Sequence, residues 1–454
     1  MTLQEKKSSY FLIIGLGTSG ISMAKFLHAS GQEVVATDID PARTDRAKQL
    51  NDLGIRTEIG FHNPKTFNQA AVLVPSPGIP LTLEPIKTAA ARGVPISGEL
   101  DIFSRYNDLP IIAITGTNGK TSTTTLIGDM LTACGRTPFV GGNIGTPLVD
   151  HLMNKRNTDV IVAEISSFQL DLAKTFKPDV GVLLNISEDH LDRYDTYTAY
   201  ETSKWRLFDH QDADDKAVIN HSISGFEKKI KTLRSRVFAF SSTQGIPTPW
   251  GAHIGSNDIQ VITKALNYRI KTDVLKELQG THNRENIAAA VLACLAVDAD
   301  INGILNGLNT FKNLPHRMKL IHTIDGISFY DDSKATNTDA VIRALACFDK
   351  NVLLILGGRE KGTNFSLLIP AVQHRVKTII AIGESRKHIQ ETFENVCRVI
   401  PADTMKDAVQ KAFNAAAGDD VVLLSPACAS FDMYANYAQR GTDFITHVTE
   451  LGNK

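Results

Sequence analysis

The segment Thr115-Gly116-Thr117-Asn118-Gly119-Lys120-Thr121-Ser122 offers the most specific chemistry in this sequence. It follows the apolar run at 111–114 and precedes a helical pattern, and a glycine turn in that setting aims backbone N–H groups at phosphate oxygens. Lys120 would neutralise the β and γ phosphates of ATP, and the Thr121 hydroxyl would ligate Mg²⁺. Ile114 stands where the general phosphate-loop pattern has its first glycine. A second turn, Gly15-Leu16-Gly17-Thr18-Ser19-Gly20, also follows a strand pattern and opens a helix, with Asp38 closing the next strand. Its glycines suit close approach of the backbone to a diphosphate, and its acid suits a ribose. NAD and a UDP-sugar both carry a diphosphate, so taken alone this turn fits a dehydrogenase as well as a sugar-nucleotide enzyme. Glu164, ending the apolar run at 160–163, offers a hard oxygen ligand to Mg²⁺.

These residues need a scaffold that presents strand ends and helix starts. Short β-branched runs at 11–14, 34–37, 72–74, 111–114, 160–163, 180–184, 352–356, 378–382 and 421–424 alternate with helical patterns. That alternation predicts an α/β protein of mainly parallel sheets covered by helices. At 454 residues the chain exceeds one ordinary domain. Strand–glycine-turn units predict three: a Rossmann-like domain at 1–105, a phosphate-loop domain at 106–313 and a Rossmann-like domain at 314–454. Residues 241–257, rich in Gly, Pro, Ser and Thr, read as a surface loop inside the second.

Composition excludes several classes. With 48 basic and 49 acidic side chains, the chain has no global field for nucleic acid or an anionic membrane. Five dispersed cysteines without a Cys-x-x-Cys read as reduced thiols of a cytoplasmic protein. Phe11-Leu12-Ile13-Ile14 is cut short by Gly15 and reads as a strand, not a signal peptide. The longest apolar run, 287–297, is too short to span a membrane.

Further blocks recur in a familiar order: Gly141-Gly142-Asn143-Ile144-Gly145, Glu164-Ile165-Ser166-Ser167-Phe168-Gln169-Leu170, Asn185-Ile186-Ser187-Glu188-Asp189-His190-Leu191-Asp192-Arg193-Tyr194, His282-Asn283-Arg284-Glu285-Asn286, Leu314-Pro315-His316-Arg317, Asp332-Ser333-Lys334-Ala335-Thr336-Asn337 and Ser425-Pro426-Ala427-Cys428-Ala429-Ser430. With the 115–122 loop they span almost the whole chain, and together they resemble the Mur ligase and folylpolyglutamate synthase superfamily. Ser-Ser-Phe-Gln-Leu, Glu-Asp-His-Leu-Asp-Arg and Ser-Pro-Ala-Cys-Ala-Ser are most similar to its D-glutamate-adding members. The L-alanine-adding relatives usually have His where Asn118 stands, and the Asp-Asn-Pro-Arg motif of the diaminopimelate-adding ones is missing.

The resemblance implies an ADP-forming amide-bond ligase that joins D-glutamate to UDP-N-acetylmuramoyl-L-alanine through an acyl phosphate, a monomer of the cytoplasm working in cell-wall precursor synthesis. It implies ATP contacts from Gly116, Thr117, Asn118, Gly119, Lys120, Thr121, Ser122 and Asn286, with Arg317 and Asp332 supplied from the third domain. It implies two Mg²⁺ ions, held through Thr121, Glu164, His190 and Lys204, with Lys204 carbamylated by CO₂. The UDP-substrate would meet Thr18, Ser19, Asp38, Ser76, Asn143 and His190. D-Glutamate would meet Lys334, Thr336, Lys361, Ser430, Phe431 and Tyr437, and catalysis would rest on Lys120, His190, Lys204 and Lys334. Departures from the pattern are Ile39-Asp40 in place of Thr-Arg, Tyr437 in place of Phe and Asp331 in place of Asn. No arginine is therefore offered at position 40 for the uracil or phosphates. Rival readings are another amino-acid ligase of the superfamily, including a folylpolyglutamate type, and an NAD-binding regulatory protein with a vestigial ATP loop.

Overall fold

The computed structural model describes residues 10–154, 157–243, 248–264, 266–272, 278, 280–360 and 362–453. The chain forms two compact units, one of Met1–Asn185, Thr198–Ile270 and Glu285–Thr310, the other of Ile186–Tyr197, Lys271–Arg284 and Phe311–Lys454.

The first unit contains two sheets. Strands β1 (Phe11–Ile14), β2 (Val34–Asp38), β3 (Arg56–Ile59) and β4 (Val72–Pro75) form a wholly parallel sheet in the order β3-β2-β1-β4. The second sheet runs β5 (Ile111–Thr115), β6 (Pro138–Gly142), β7 (Val160–Glu164), β8 (Val180–Leu183), β9 (Lys216–Asn220), β10 (Arg236–Ser241), β11 (Gly251–Ile254), β12 (Asp258–Ile262) and β13 (Asn267–Lys271) along the chain. In space their order is β13-β12-β11-β10-β9-β8-β5-β7-β6. Every residue of β5, β7 and β8 is buried, which is why these strands read as continuous apolar runs and not as an alternation. β5 lies between β7 and β8, so the loop leaving its end is flanked by both neighbouring strand ends.

Residues 241–257 are not simply a surface loop. Gly251–Ile254 is a strand paired in parallel with β10 and antiparallel with β12. Its small residues Gly251 and Ala252 are buried, and a short strand of small residues carries a turn-like composition.

The second unit holds β14 (Lys319–Ile324), β15 (Ile327–Asp331), β16 (Val352–Gly357), β17 (Val376–Ile382), β18 (Arg398–Pro401) and β19 (Val421–Leu424), in the order β14-β15-β19-β16-β17-β18. Only the β14–β15 pair is antiparallel. The core has two faces because side chains alternate along β16. Val352, Leu354 and Leu356 pack with Val341, Leu345, Val372 and Phe393. Leu353 and Ile355 pack with Ala408, Val409, Phe444 and Val448. Asn436 starts the helix Tyr437–Gly452 by accepting from the Gln439 backbone N–H. Among the described residues no helix is long and apolar enough to cross a membrane.

Candidate active site

In the first unit, β5 delivers the chain into the 116–122 loop, and the helix Lys120–Ala133 carries it away. Gly119 sits before that helix at φ +85°, in the left-handed region. A Cβ there would lie 2.3 Å from Asn286 Oδ1, so Asn286, within the helix Thr281–Ala296, presses directly on the loop. Asn185, just beyond β8, laces the other side. Its carbonyl accepts from Thr117 N at 3.0 Å, its Oδ1 from Asn118 N at 2.8 Å, and its Nδ2 donates to Asn118 O at 3.0 Å. The loop is held before any phosphate arrives.

Two lysines bind its carbonyls. Lys120 Nζ donates to Gly116 O at 2.7 Å and to Thr117 O at 2.8 Å. Lys204, in the helix Tyr197–Trp205, is 1% exposed, donates to Gly116 O at 2.9 Å and lies 4.5 Å from the centre of the Tyr200 ring. The Tyr200 hydroxyl bonds Thr117 Oγ1 at 3.1 Å.

Glu164 ends β7 beside Ile114, is 2% exposed, and accepts from Asn143 Nδ2 at 3.0 Å through Oε1. Its Oε2 is buried with no hydrogen-bond partner among the described residues. A buried carboxylate oxygen left open next to a phosphate loop fits a hard cation. The adjoining turn is fixed by a capping box, in which Ser166 Oγ accepts from Gln169 N and Gln169 Oε1 accepts from Ser166 N. Gln169 Nε2 donates to Glu99 Oε2 at 3.1 Å.

The first glycine turn lies in the same unit. Asp38 Oδ2 accepts from Leu16 N at 2.6 Å and Oδ1 from Asp40 N at 2.9 Å. Ser76 Oγ donates to Gly15 O at 2.8 Å. Thr18 and Ser19 open the helix Thr18–Ala29. Ser19, Gly20, Ser76 and Glu99 line one small cavity beneath it. Burial pushes the Glu99 carboxyl up to about 7, against the pull of the Gln169 amide.

The second unit gathers another set. A cleft there is lined by Glu188, Asp189, His190, Thr336, Asn337 and Thr363. His190 takes φ +57°, an uncommon conformation for a non-glycine residue, its N–H bonded to Asp189 Oδ1 at 2.9 Å. Asp189 Oδ2 accepts from Asn337 Nδ2 at 3.0 Å. Lys334 Nζ lies 3.8 Å from the centre of the Tyr437 ring, a cation–π contact. His316 Nδ1 and Asp331 Oδ2 are 2.6 Å apart. Buried Arg440 donates to Ser333 Oγ, Ser333 O and Cys428 O, and desolvation draws its pKa down to about 10. Asp332 accepts from Ser425 Oγ at 3.0 Å and from Met318 N at 3.2 Å, and burial lifts its carboxyl to about 7. The Arg317 carbonyl accepts from Asn313 Nδ2. Ser430 is buried while Phe431 is 57% exposed. Lys361 lies outside the described residues.

Thus Thr18, Ser19, Asp38 and Ser76 gather at one turn. The 116–122 loop gathers Lys204 and Asn286, with Glu164 and Asn143 at the neighbouring strand end. Asn185, Tyr200, Glu99 and Arg440 were not singled out from sequence. Asn185 stood inside a quoted stretch, whereas Tyr200, Glu99 and Arg440 did not.

Three family models match the chain: Mur ligase MurD-like, N-terminal domain at residues 9–98, Mur ligase middle domain at 114–294, and Mur ligase, glutamate ligase domain at 316–428. A UDP-N-acetylmuramoylalanine–D-glutamate ligase from Desulfosudis oleivorans is 43% identical over 449 residues, covering 98% of this chain and 97% of its own. The protein of the same name from Geotalea daltonii is 39% identical, covering 98% of each. Among solved structures, a pseudomurein peptide ligase type C from Methanothermus fervidus aligns with a TM-score of 0.61 at 18% identity, over 97% of this chain and 100% of that one. The UDP-N-acetylmuramate-alanine ligase MurC from Thermotoga maritima aligns at 0.59 and 17% identity, over 97% and 99%. At such identities the likeness is one of fold.

Proposed function

The chain belongs to the Mur ligase family of ATP-dependent, amide-bond-forming enzymes, and we propose that it joins D-glutamate to UDP-N-acetylmuramoyl-L-alanine, a step of peptidoglycan precursor synthesis. Full-length similarity to ligases of that name supports the substrate pair. One observation carries the chemistry: a phosphate loop already braced, with the open oxygen of Glu164 at the adjoining strand end.

In this reading a carboxylate oxygen of the L-alanyl group attacks the γ-phosphorus of ATP, and ADP leaves. The amine of D-glutamate then attacks the acyl phosphate carbonyl, and the tetrahedral intermediate expels phosphate as the nitrogen loses a proton. Both steps bring anion to anion, so cations must shield them. Lys120 would leave its two carbonyl acceptors for the phosphates, and the amides of 116–122 would cradle them. Thr121 and Glu164 would hold Mg²⁺, which withdraws charge from the phosphates when bound. His190 and a carbamylated Lys204 would complete a second such site. Carbamylation would replace a buried ammonium with anionic oxygens that a hard cation prefers. Asn286, against Gly119, would contact the adenine, with Arg317 and Asp332 as further ATP contacts. Thr18, Ser19, Asp38, Ser76, Asn143 and His190 would hold the UDP-substrate. Lys334, Thr336, Lys361, Ser430, Phe431 and Tyr437 would receive the amino acid, whose two carboxylates call for lysine. We read the chain as three domains, 1–105, 106–313 and 314–454, acting as a cytoplasmic monomer.

The test is phosphate release from ATP with UDP-N-acetylmuramoyl-L-alanine and D-glutamate, L-glutamate or L-alanine as acceptor. D-Glutamate alone should support turnover. Efficient use of L-glutamate on a folate would sink the assignment.

A further inference from the structure

We propose that Arg46 is a substrate-binding residue, pairing with the diphosphate of the UDP-sugar at the first glycine turn. The inference rests on the reading of that turn as the UDP site. Arg46 belongs to the helix Thr44–Asn51, and its Nη1 donates to Leu16 O at 2.6 Å. Leu16 is the second residue of the turn, and its own N–H is already held by Asp38. The guanidinium therefore reaches back from a separate helix onto the peptide that begins the diphosphate cradle.

Arg46 is half-buried, and among the described residues no carboxylate lies within ion-pair distance of it. Asp38 and Asp40, the acids that follow the turn, have other partners. Asp38 uses one oxygen on Leu16 N and the other on Asp40 N, and Asp40 pairs with Arg43 at 3.2 Å. The helix Thr18–Ala29 has no acid in its first turn. A guanidinium presents five N–H donors in a planar fork, and one carbonyl occupies only part of that capacity. A half-buried guanidinium with donors to spare, beside a glycine turn that opens a helix, is suited to an incoming anion.

The local sequence agrees. Position 40, next to the acid of the turn, carries Asp, not a basic residue. Arg43 is committed to that Asp. Arg46 is the basic side chain that binds the turn itself.

The rival role is a structural lock on Leu16, and three variants separate the two. Arg46→Gln keeps an N–H donor for Leu16 O but no charge, Arg46→Lys keeps the charge, and Arg46→Ala keeps neither. If Arg46 binds the diphosphate, Gln and Ala should each raise KM for UDP-N-acetylmuramoyl-L-alanine roughly ten- to hundredfold. KM for ATP and kcat at saturation should hold, Lys should stay within a few fold of wild type, and added salt should narrow the gap between wild type and Gln. A wild-type KM in the Gln variant, with lost thermal stability in Ala, would overturn the proposal in favour of the lock. Calorimetry with UDP alone separates the underlying reading. Wild-type protein that fails to bind UDP refutes the turn assignment and this inference with it, whereas equal UDP binding by wild type and the Gln variant refutes Arg46 only.

Discussion

The two glycine turns of the first unit follow buried parallel strands and open helices, yet they are prepared for their ligands in opposite ways. At Gly15–Gly20 the acid is consumed internally, because both Asp38 oxygens accept backbone N–H groups. The turn keeps its shape by its own bonds, and its cation comes from a distant helix. At 116–122 the cation Lys120 is built in and rests on the loop's own carbonyls. In the proposed mechanism a phosphate would draw Lys120 away from Gly116 O and Thr117 O, exchanging one set of charge-assisted bonds for another. The first turn is a fixed mould, and the second is an exchange of partners. A mould binds without altering the protein, whereas an exchange makes phosphate binding felt in the neighbouring side chains.

The strongest test of that contrast is Lys120→Ala. It removes the exchanging cation and should cut turnover by roughly a thousandfold or more while UDP binding at the first turn persists. Steady-state phosphate release and UDP calorimetry on one preparation check both halves. Equal damage to both would erase the distinction between the turns.

Lys204→Ala comes next. The variant should fold and lose turnover by roughly a hundredfold or more, and added acetate should recover part of it by supplying oxygens where a carbamate would stand. Full activity of the variant, or acetate without effect, would return Lys204 to a packing role.

The mould is tested by two glycines in one turn. A Cβ at Gly20 would lie 1.9 Å from the Gly15 carbonyl oxygen, which is backbone and cannot rotate aside. Gly17 has open space and φ −67°. Gly20→Ala should cost about 2–4 kcal/mol and weaken UDP binding, whereas Gly17→Ala should stay within about 1 kcal/mol. Denaturant titration with and without UDP distinguishes them, and equal effects would mean that the turn deforms readily.

The smallest effect concerns Glu99, in the cavity beneath that turn. Its proton leaves the unfolded chain in the ordinary carboxylate range but stays on the folded protein until about pH 7. Stability should therefore fall as pH rises between those values and level off above them. Glu99→Gln keeps an acceptor for the Gln169 amide and removes the penalty, so the variant should gain on wild type by roughly 2–3 kcal/mol from about pH 5 to about pH 8. Urea midpoints at both ends of that range decide it, and a constant difference would show that Glu99 keeps an ordinary pKa.

The sequence was most readable where local spacing dictates geometry. The 116–122 loop could be placed because glycine, lysine and threonine occupy neighbouring positions with a strand before and a helix after. It was least readable where distant segments meet. The resemblance grouped Lys334 with Tyr437 but not the stacking of the ammonium on the ring, and nothing near Ser333 announces Arg440. Asp38 falls between. Its place was legible, but the occupation of both its oxygens by Leu16 and Asp40 amides depends on how the turn closes. The strand Gly251–Ile254 was hidden because small residues fit its site in the sheet, and small residues also make loops.

In the sheet of the second unit, β19 lies between β15 and β16, although it is translated after both. Until residues 421–424 leave the ribosome, the nascent chain carries two separate half-sheets with facing edges unpaired. Such edges template pairing with other chains, so this unit cannot mature strand by strand during synthesis. By contrast β5, an interior strand of its own sheet, is made before the strands that flank it and can serve as their template. A synonymous change that slows translation between β16 and β19 should therefore lower soluble yield more than the same change placed after β5.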